Sequence, residues 1–430
     1  MHEVNRRELF PYVFLTHLQT GKFKTNTLSL TLLAQLDRET AAKNAVLPRV
    51  LLRGTEQYPD MERLAQECDE LYGTKIEPMI RKKGEIQCVG LYANFVDDRR
   101  LPEGEEILEK VANLLGEILL RPAKQAGKLR TDYVESERDK LADEIAGRIN
   151  DKTSYGIGRL VELMCDGEAF ATYRLGTESE AEQIDAVSLT GHYHTLLETA
   201  PIEIFYSGTA SIDQVEAALI KALKDIPRGE PDVDLGTDVR MNSVADSPRD
   251  FTEEMDVTQG KLNLGFRLGE CMEDPDYTAL ELFHCLYGGS VTSKLFLNVR
   301  ERLSLCYYAS AILEKHKGLL LVASGIEFAK FEEAKSEILA QLRAIQTGDV
   351  TEEELLWAKK GLITDYGMMK DDQVLLEDFY LSQTILGEKD GIAERIAKVE
   401  RLGKEALIEI ANSLQLDAVY FLKGAEGEGA

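Results

Sequence analysis

Paired cysteines are missing from this 430-residue sequence. Its six cysteines are widely scattered, and no two of them form a Cys-x-x-Cys pair. Scattered cysteines in a large chain usually behave as small buried hydrophobic groups. The sequence therefore predicts neither a disulfide framework nor a cysteine-type zinc site.

Long apolar runs are also missing. No stretch approaches the roughly 18 apolar residues that a membrane-spanning helix needs. The opening residues, Met1–Arg7, lead into neither an apolar segment of signal-peptide length nor a small-residue cleavage site. We therefore expect a soluble, cytoplasmic protein.

Positive charge is scarce, since 50 basic residues stand against 76 acidic ones and the formal net charge is −26. A charge of that sign repels phosphate backbones and anionic lipid, so neither nucleic acid nor a membrane is expected as a partner. Acidic groups could favour basic peptides if they lined a cavity. A solvated acidic surface is the simpler interpretation.

An internal repeat with a spacing of 234 residues runs through the chain. Residues 26–37 alternate apolar and polar side chains, which is typical of a strand with one buried face, and residues 259–268 repeat this pattern. The equivalent positions are Leu28 and Leu262, Gly54 and Gly288, and Gly84 and Gly318. Each half also contains a long amphipathic helix, at 105–121 or 331–345, and ends in a short strand before a glycine.

The order of these elements predicts the fold class and the domain bounds. Strand runs mixed with helix pairs, without regular βα alternation, predict α+β domains with antiparallel or mixed sheets packed with helices. Residues 227–250 combine proline and glycine with acidic and small residues, which is typical of an interdomain linker. We therefore predict two homologous domains, 1–226 and 251–430.

The segment NAVLPRVLLRGT (Asn44–Thr55) carries a family resemblance. Together with the repeated α+β unit, it resembles the pitrilysin/insulinase metallopeptidases, in the short-chain form in which two chains close into one chamber. Active members carry an inverted zinc motif, His-x-x-Glu-His, a few residues before a hydrophobic-Lys/Arg-Gly-Thr ending. By that match the motif positions here are Ala45, Pro48 and Arg49.

None of these three residues can perform the chemistry of the motif. In active members the two histidines would bind zinc, and the glutamate would take a proton from the metal-bound water. Alanine has no ligand atom, proline has no acid–base group, and arginine repels a divalent cation. No histidine lies between His17 and His192, so no change of register restores the pair. The resemblance therefore implies that the chain has no catalytic residue, no metal and no cofactor.

Glu144 and two histidines are the remaining candidates for a metal ligand. The third ligand of the family is acidic and lies in a Glu-Arg-Asp-x-x-x-x-Glu pattern, which aligns it with Glu144, although the interval from Arg49 is longer than usual. Without histidine partners, Glu144 is interpreted as a relic or an ordinary salt-bridging residue. His192 and His194 have no third ligand nearby in sequence, so no replacement site is predicted. Pro48 predicts that the helix with the lost motif bends or ends nearby.

A second segment, YGGSVTSKLFLNVRERLSLCYY (Tyr287–Tyr308), resembles the family sequence Gly-Gly-x-x-Ser-x-Leu-Phe-x-x-x-Arg-Glu-x-x-x-Leu-x-Tyr. The match implies that Arg300 and Tyr307 are the pair that faces the zinc across the chamber and hydrogen-bonds the bound peptide. Guanidinium and hydroxyl donors suit the carbonyl oxygens of an extended substrate. The alternative is a solvated Arg300 and a core aromatic at Tyr307. The family commonly has glycine where Ser304 stands.

Loss of the zinc motif with retention of the arginine–tyrosine segment indicates a division of labour. In paired short-chain members, one chain carries zinc and the other carries the pair. The leading hypothesis is a non-catalytic subunit of a heterodimeric zinc peptidase, whose partners are a zinc-bearing homologue and a peptide substrate. A stand-alone peptide-binding or scaffold protein is the alternative, and a homodimer stays open. Phe10–Leu30 also resembles a bacterial subgroup associated with aminopentanol modification of elongation factor P.

Overall fold

The computed structural model describes residues 4–103, 105–231 and 235–424. Its strands are β1 (Val4–Phe10), β2 (Val13–Gln19), β3 (Thr25–Gln35), β4 (Lys75–Lys83), β5 (Ile86–Val96), β6 (Lys124–Gln125), β7 (Lys128–Leu129), β8 (Ile202–Gly208), β9 (Arg249–Met255), β10 (Gly260–Arg267), β11 (Cys306–Glu314), β12 (Leu319–Ile326) and β13 (Gln415–Gly424). Its α-helices are α1 (Arg38–Leu51), α2 (Met61–Glu70), α3 (Leu108–Leu120), α4 (Thr131–Ala146), α5 (Lys152–Met164), α6 (Glu178–Glu182), α7 (Ala186–Thr199), α8 (Ile212–Ala222), α9 (Tyr277–His284), α10 (Phe331–Gln346), α11 (Glu352–Met369), α12 (Gln373–Leu386), α13 (Ile392–Arg401) and α14 (Lys404–Ser413). Residues 232–234 of the predicted linker, and the outermost residues of the two predicted domains, lie outside the described residues.

Two sheets that share a strand order form the framework. The first sheet has the order β1-β2-β8-β3-β5-β4, and the second has the order β9-β13-β10-β12-β11. β2 is parallel to β8 and β9 is parallel to β13, whereas the other neighbours are antiparallel. The run β8-β3-β5-β4 thus recurs as β13-β10-β12-β11, in agreement with the sequence repeat. This architecture confirms the predicted α+β class with mixed sheets.

Gly84 and Gly318 show why the repeat keeps glycine at equivalent positions. Gly84 connects β4 to β5, and Gly318 immediately precedes β12 in the connection from β11. Their φ angles are +58° and +72°, a left-handed conformation that residues with a Cβ atom rarely adopt. Glycine therefore permits the short connection that lets each strand pair with the next.

The described residues form two compact units that are not contiguous in sequence. The first unit contains the residues up to Ala146, Thr172–Gly236 and Asp372–Gly387, and the second contains Gly147–Ala171, Thr237–Asp371 and the residues from Glu388 onward. Within these units, α5 packs on β10 and β13, and α12 packs on β8. The predicted contiguous domains, 1–226 and 251–430, therefore differ from the compact units at α5 and α12. Helical periodicity predicts an apolar face but not the sheet that this face covers.

The core of the first unit positions α1. Its side chains Ala45, Val46 and Val50 join the same buried cluster as Leu28 and Leu30 of β3. α4 packs against α1, which brings together the two helices with the candidate site residues. Within the described residues, no helix is both long and apolar enough to cross a membrane.

Four charged side chains in the second unit have no solvent exposure. Arg267 on β10 donates to Glu168 at 2.6 Å and to Asp417 at 2.8 Å. Lys317 lies 2.7 Å from the other carboxylate oxygen of Glu168. Burial alone would raise the pKa of Glu168, but the bonds from Arg267 and Lys317 outweigh it and lower this pKa below its usual value. Because Glu168 follows α5 in the chain, the network fixes the segment Gly147–Ala171 to the second unit.

Glu168→Gln is expected to lower the free energy of unfolding by about 3–5 kcal/mol. The substitution leaves Arg267 and Lys317 buried, with Asp417 as the remaining carboxylate of this network. Urea unfolding at pH 7 measures this loss. Glu182→Gln is the matched control, since it neutralises an exposed glutamate and is expected to change the free energy of unfolding by less than about 0.5 kcal/mol. Equal unfolding free energies for the two variants would contradict the anchoring role of Glu168.

Candidate functional site

Helix α1 carries the three positions that correspond to the lost zinc motif. It begins after Asp37, whose side chain accepts a hydrogen bond from the backbone N–H of Glu39 at 2.7 Å. Ala45 is fully buried, so its methyl group is part of the core. Pro48 lies inside the helix, which ends at Leu51. The prediction was that the helix bends or ends near Pro48, and the helix ends three residues after it.

Arg49 and Glu144 form an ion pair between two helices. The Nη1 atom of Arg49 on α1 lies 2.8 Å from the Oε2 atom of Glu144 on α4. The side chain of Arg49 is 18% exposed and that of Glu144 is 45% exposed. The two positions are far apart in sequence yet adjacent in the fold, as the second histidine and the acidic ligand of the family would be. Glu144 is thus a salt-bridging residue in this structure.

The residues at the motif positions do not fit a zinc ion. A zinc site needs several neutral or negative ligand atoms that converge on one point. Ala45 instead supplies a methyl group, Pro48 supplies a ring without a donor atom, and Arg49 supplies a permanent positive charge. In the part of the chain that the structure describes, no three histidine, cysteine, aspartate or glutamate side chains are grouped so that they could hold a metal ion. A guanidinium, rather than a metal ligand set, faces the carboxylate of Glu144.

A polar network adjoins the motif positions on α1. The amide nitrogen of Asn44 donates to the side-chain oxygen of Gln87 at 2.8 Å, and the amide oxygen of Asn44 lies 2.6 Å from Nε2 of His192. Burial, helped by the charge of Lys43, lowers the pKa of His192 to about 4. The ring is therefore neutral at pH 7 and can donate to Asn44. Asn44 and Gln87 are not identifiable from sequence, because a polar residue within an apolar pattern does not reveal its partner.

An open pocket of about 510 Å³ extends from Arg49. Its lining residues are Arg49, Leu52, Arg53, Met61, Pro78, Ile80, Glu137, Lys140, Glu144 and Arg174. Glu137 binds two of the cations, Arg53 at 2.9 Å and Lys140 at 2.7 Å. No sequence motif joins Arg53, Lys140 and Arg174, and only the fold brings them to one cavity.

Arg300 and Tyr307 both lie at accessible positions in the second unit. Arg300 belongs to a π-helical segment, Leu295–Arg302, and its side chain is 40% exposed. Its guanidinium carbon lies 4.6 Å from the centre of the Phe296 ring, a cation–π contact that orients the side chain. Tyr307 is 60% exposed at a bulge of β11, the edge strand of the second sheet. The alternative interpretation of Tyr307 as a core aromatic is therefore wrong.

Ser304 joins the two residues through a left-handed backbone conformation. Its φ angle is +50°, and its N–H donates to the carbonyl oxygen of Arg300 at 3.1 Å. Residues with a Cβ atom adopt this conformation at a cost of roughly 1–2 kcal/mol. This geometry explains why the resembling sequences commonly have glycine at this position, and it supports the alignment of Arg300 and Tyr307.

Comparisons with known proteins establish the family. A family model described as "Peptidase M16 inactive domain" matches residues 183–362, which include Arg300 and Tyr307. "Probable inactive metalloprotease YmfF" from Bacillus subtilis (strain 168) is 34% identical over 413 residues, which are 95% of this chain and 95% of that protein. The chain therefore belongs to the peptidase M16 family.

Two solved structures share the fold along almost the whole chain. A conserved protein from Enterococcus faecalis V583 is 27% identical with a TM-score of 0.88, and the match covers 99% of this chain and 100% of that chain. A protease from Helicobacter pylori is 14% identical with a TM-score of 0.80, and the match covers 98% of this chain and 99% of that chain. The fold is thus shared with a protein described as a protease, so the residues at the motif positions, not the fold, exclude zinc chemistry here.

Ser304→Gly is expected to raise the free energy of unfolding by about 0.5–1 kcal/mol, because glycine relieves the positive φ angle while adding some freedom to the unfolded chain. Thermal unfolding and urea unfolding both measure the change. Ser247→Gly is the matched control at an exposed position without a positive φ angle, and it should lower the free energy of unfolding slightly. A destabilised Ser304→Gly variant would contradict the strain assigned to Ser304.

Proposed function

We propose that this protein is the non-catalytic subunit of a heterodimeric zinc peptidase. The observation that carries the proposal is the contrast between the two candidate sites. The motif positions on α1 hold Ala45, Pro48 and an Arg49 that is ion-paired with Glu144. Arg300, in contrast, is 40% exposed and has only a long 3.6 Å contact with the neighbouring Glu301, and Tyr307 is 60% exposed, so both side chains are accessible to a ligand.

Peptide binding through Arg300 and Tyr307 follows from their chemistry. A guanidinium offers several permanent N–H donors, and a phenol offers one O–H donor. Both groups suit the carbonyl oxygens of an extended peptide, which need donors once the peptide leaves water. Their positions on a π-helical segment and at a strand bulge orient these donors without burying them.

Hydrolysis is assigned to a zinc-bearing homologous partner. Two short chains of this family would close one chamber, with the metal on one side and the arginine–tyrosine pair on the other. The name of the relative from Bacillus subtilis, an inactive metalloprotease, is consistent with this role. We expect the protein to act in the bacterial cytoplasm, and the link to elongation factor P modification stays a prediction.

The test mixes the protein with a zinc-bearing homologue from the same genome and measures peptide hydrolysis. Arg300→Ala and Tyr307→Phe should each reduce the activity of the mixture about 10- to 100-fold, since each removes a donor to the substrate. Arg302→Ala, which removes a guanidinium from the same helical segment, and Tyr12→Phe in the first unit are the matched controls. Both controls should retain the activity of the unaltered mixture.

Gel filtration of each mixture separates the possible outcomes. A stable heterodimer whose hydrolysis is insensitive to Arg300→Ala and Tyr307→Phe would contradict the peptide-binding role. A protein that never pairs with the homologue, yet binds peptide alone, would favour the stand-alone or homodimeric binding protein.

Metal analysis of the isolated protein is the second test. We expect far less than one zinc per chain after purification in buffer that contains zinc, because Ala45, Pro48 and Arg49 offer no ligand atoms. One tightly bound zinc per chain, or hydrolysis by the isolated protein that a chelator abolishes, would contradict the non-catalytic assignment.

A further inference from the structure

The pocket at Arg49 has a charge opposite to that of the whole chain. Four of its lining residues are basic and two are acidic, so the pocket carries two excess positive charges, whereas the chain carries a formal net charge of −26. The basic residues are Arg49, Arg53, Lys140 and Arg174, and the acidic residues are Glu137 and Glu144. Such a local excess attracts anions that the rest of the surface repels.

The ion pairs inside the pocket do not use all of its donors. Glu144 faces one cation, Arg49, and Glu137 is shared between Arg53 and Lys140. Arg174 makes no ion pair within the described part of the chain. The Nε atom of Arg53 is buried and has no hydrogen-bond partner among the described residues. Arg174 therefore keeps N–H donors for a ligand, whereas the buried Nε of Arg53 is not accessible from the pocket.

One wall of the same pocket is apolar. It is formed by Leu52, Met61, Pro78 and Ile80, and Met61 is 53% exposed although it is a large apolar residue. The volume of about 510 Å³ lies within the range of small-ligand sites. A ligand that uses both walls must carry an anionic group beside an apolar group.

We propose that this pocket binds a carboxylate carried on an apolar chain, and that its ligand is the free C-terminus of a short apolar peptide. A guanidinium fork binds the two oxygens of a carboxylate side by side, which a compact cation cannot do. The adjacent side chain of the peptide would lie on Met61 and Ile80. The site belongs to the first unit, so this inference is independent of the arginine–tyrosine pair and of a zinc-bearing partner.

The test is calorimetric titration of the full chain with an N-acetylated pentapeptide that ends in leucine. The same peptide with a C-terminal amide should bind at least about tenfold more weakly, because it lacks the charge that the guanidinium groups recognise. Octanoate in a third titration distinguishes a peptide terminus from a free aliphatic acid. Binding of either carboxylate, with loss on amidation or in the variants below, supports the pocket chemistry, and binding of neither overturns it.

Two variants that should change the affinity for the peptide acid in opposite directions test whether it binds in this pocket. Arg174→Gln should weaken the peptide acid about tenfold, since it removes the cation without an ion pair. Glu144→Gln should strengthen it about threefold, because one competing negative charge is lost. Arg343→Gln, which removes an exposed guanidinium in the second unit, should leave the affinity unchanged.

The sign of the Glu144→Gln effect separates an anion site from a residual cation site. Weaker binding of the peptide acid by Glu144→Gln, or equal binding of acid and amide, would overturn the proposal. Zn²⁺ titrated alone should bind neither the unaltered protein nor the variant. Zn²⁺ binding that Glu144→Gln abolishes would also overturn it.

Discussion

The carboxylate of Glu168 lies between two fully buried cations, Arg267 and Lys317, and this arrangement ties the segment Gly147–Ala171 to the second unit. A buried charge without a partner costs several kcal/mol, so these residues must reach the interior together. Strand β10 supplies Arg267, while the segment Gly147–Ala171 supplies Glu168. The apolar face of α5 could pack on many apolar surfaces. The buried carboxylate of Glu168, in contrast, needs a position beside both Arg267 and Lys317. Charge pairing therefore selects the sheet that α5 covers.

The first unit holds α12 by a similar device. Glu377 on this helix is almost fully buried and pairs with Arg81 of β4, and Ser29 of β3 donates to it at 3.2 Å. Burial raises the pKa of Glu377 despite the opposing charge of Arg81. Asp378, the next residue along, lies 2.7 Å from Lys83. Glu168, which follows α5, and Glu377 on α12 thus bind different cations, although the strand run β8-β3-β5-β4 recurs in the second sheet.

Local sequence patterns predict much of this fold. The features that they do not predict depend on contacts between residues that are distant in sequence. The alternation around Leu28 and the glycines at Gly84 and Gly318 depend on backbone and burial rules that act within a few residues, so they are legible in the sequence. The positions of Ala45, Pro48 and Arg49 follow from a motif match. The same match aligns Glu144 with a third ligand of one metal site and so implies its position near Arg49, whereas the meeting of Lys140 and Arg174 in one pocket depends on distances that no spacing in the sequence encodes. For the same reason, the sequence does not reveal that α5 belongs to the second unit and α12 to the first.

The reciprocal placement of α5 and α12 has a consequence for synthesis of the chain. Domains usually fold in the order in which they leave the ribosome. Here the first sheet is complete in sequence once β8 has been made, yet its last helix arrives only with Asp372–Gly387. Until then the buried face of β8 and the cation of Arg81 are uncovered, so the nascent polypeptide must keep an unfinished sheet from associating with other chains while residues 209–371 are added.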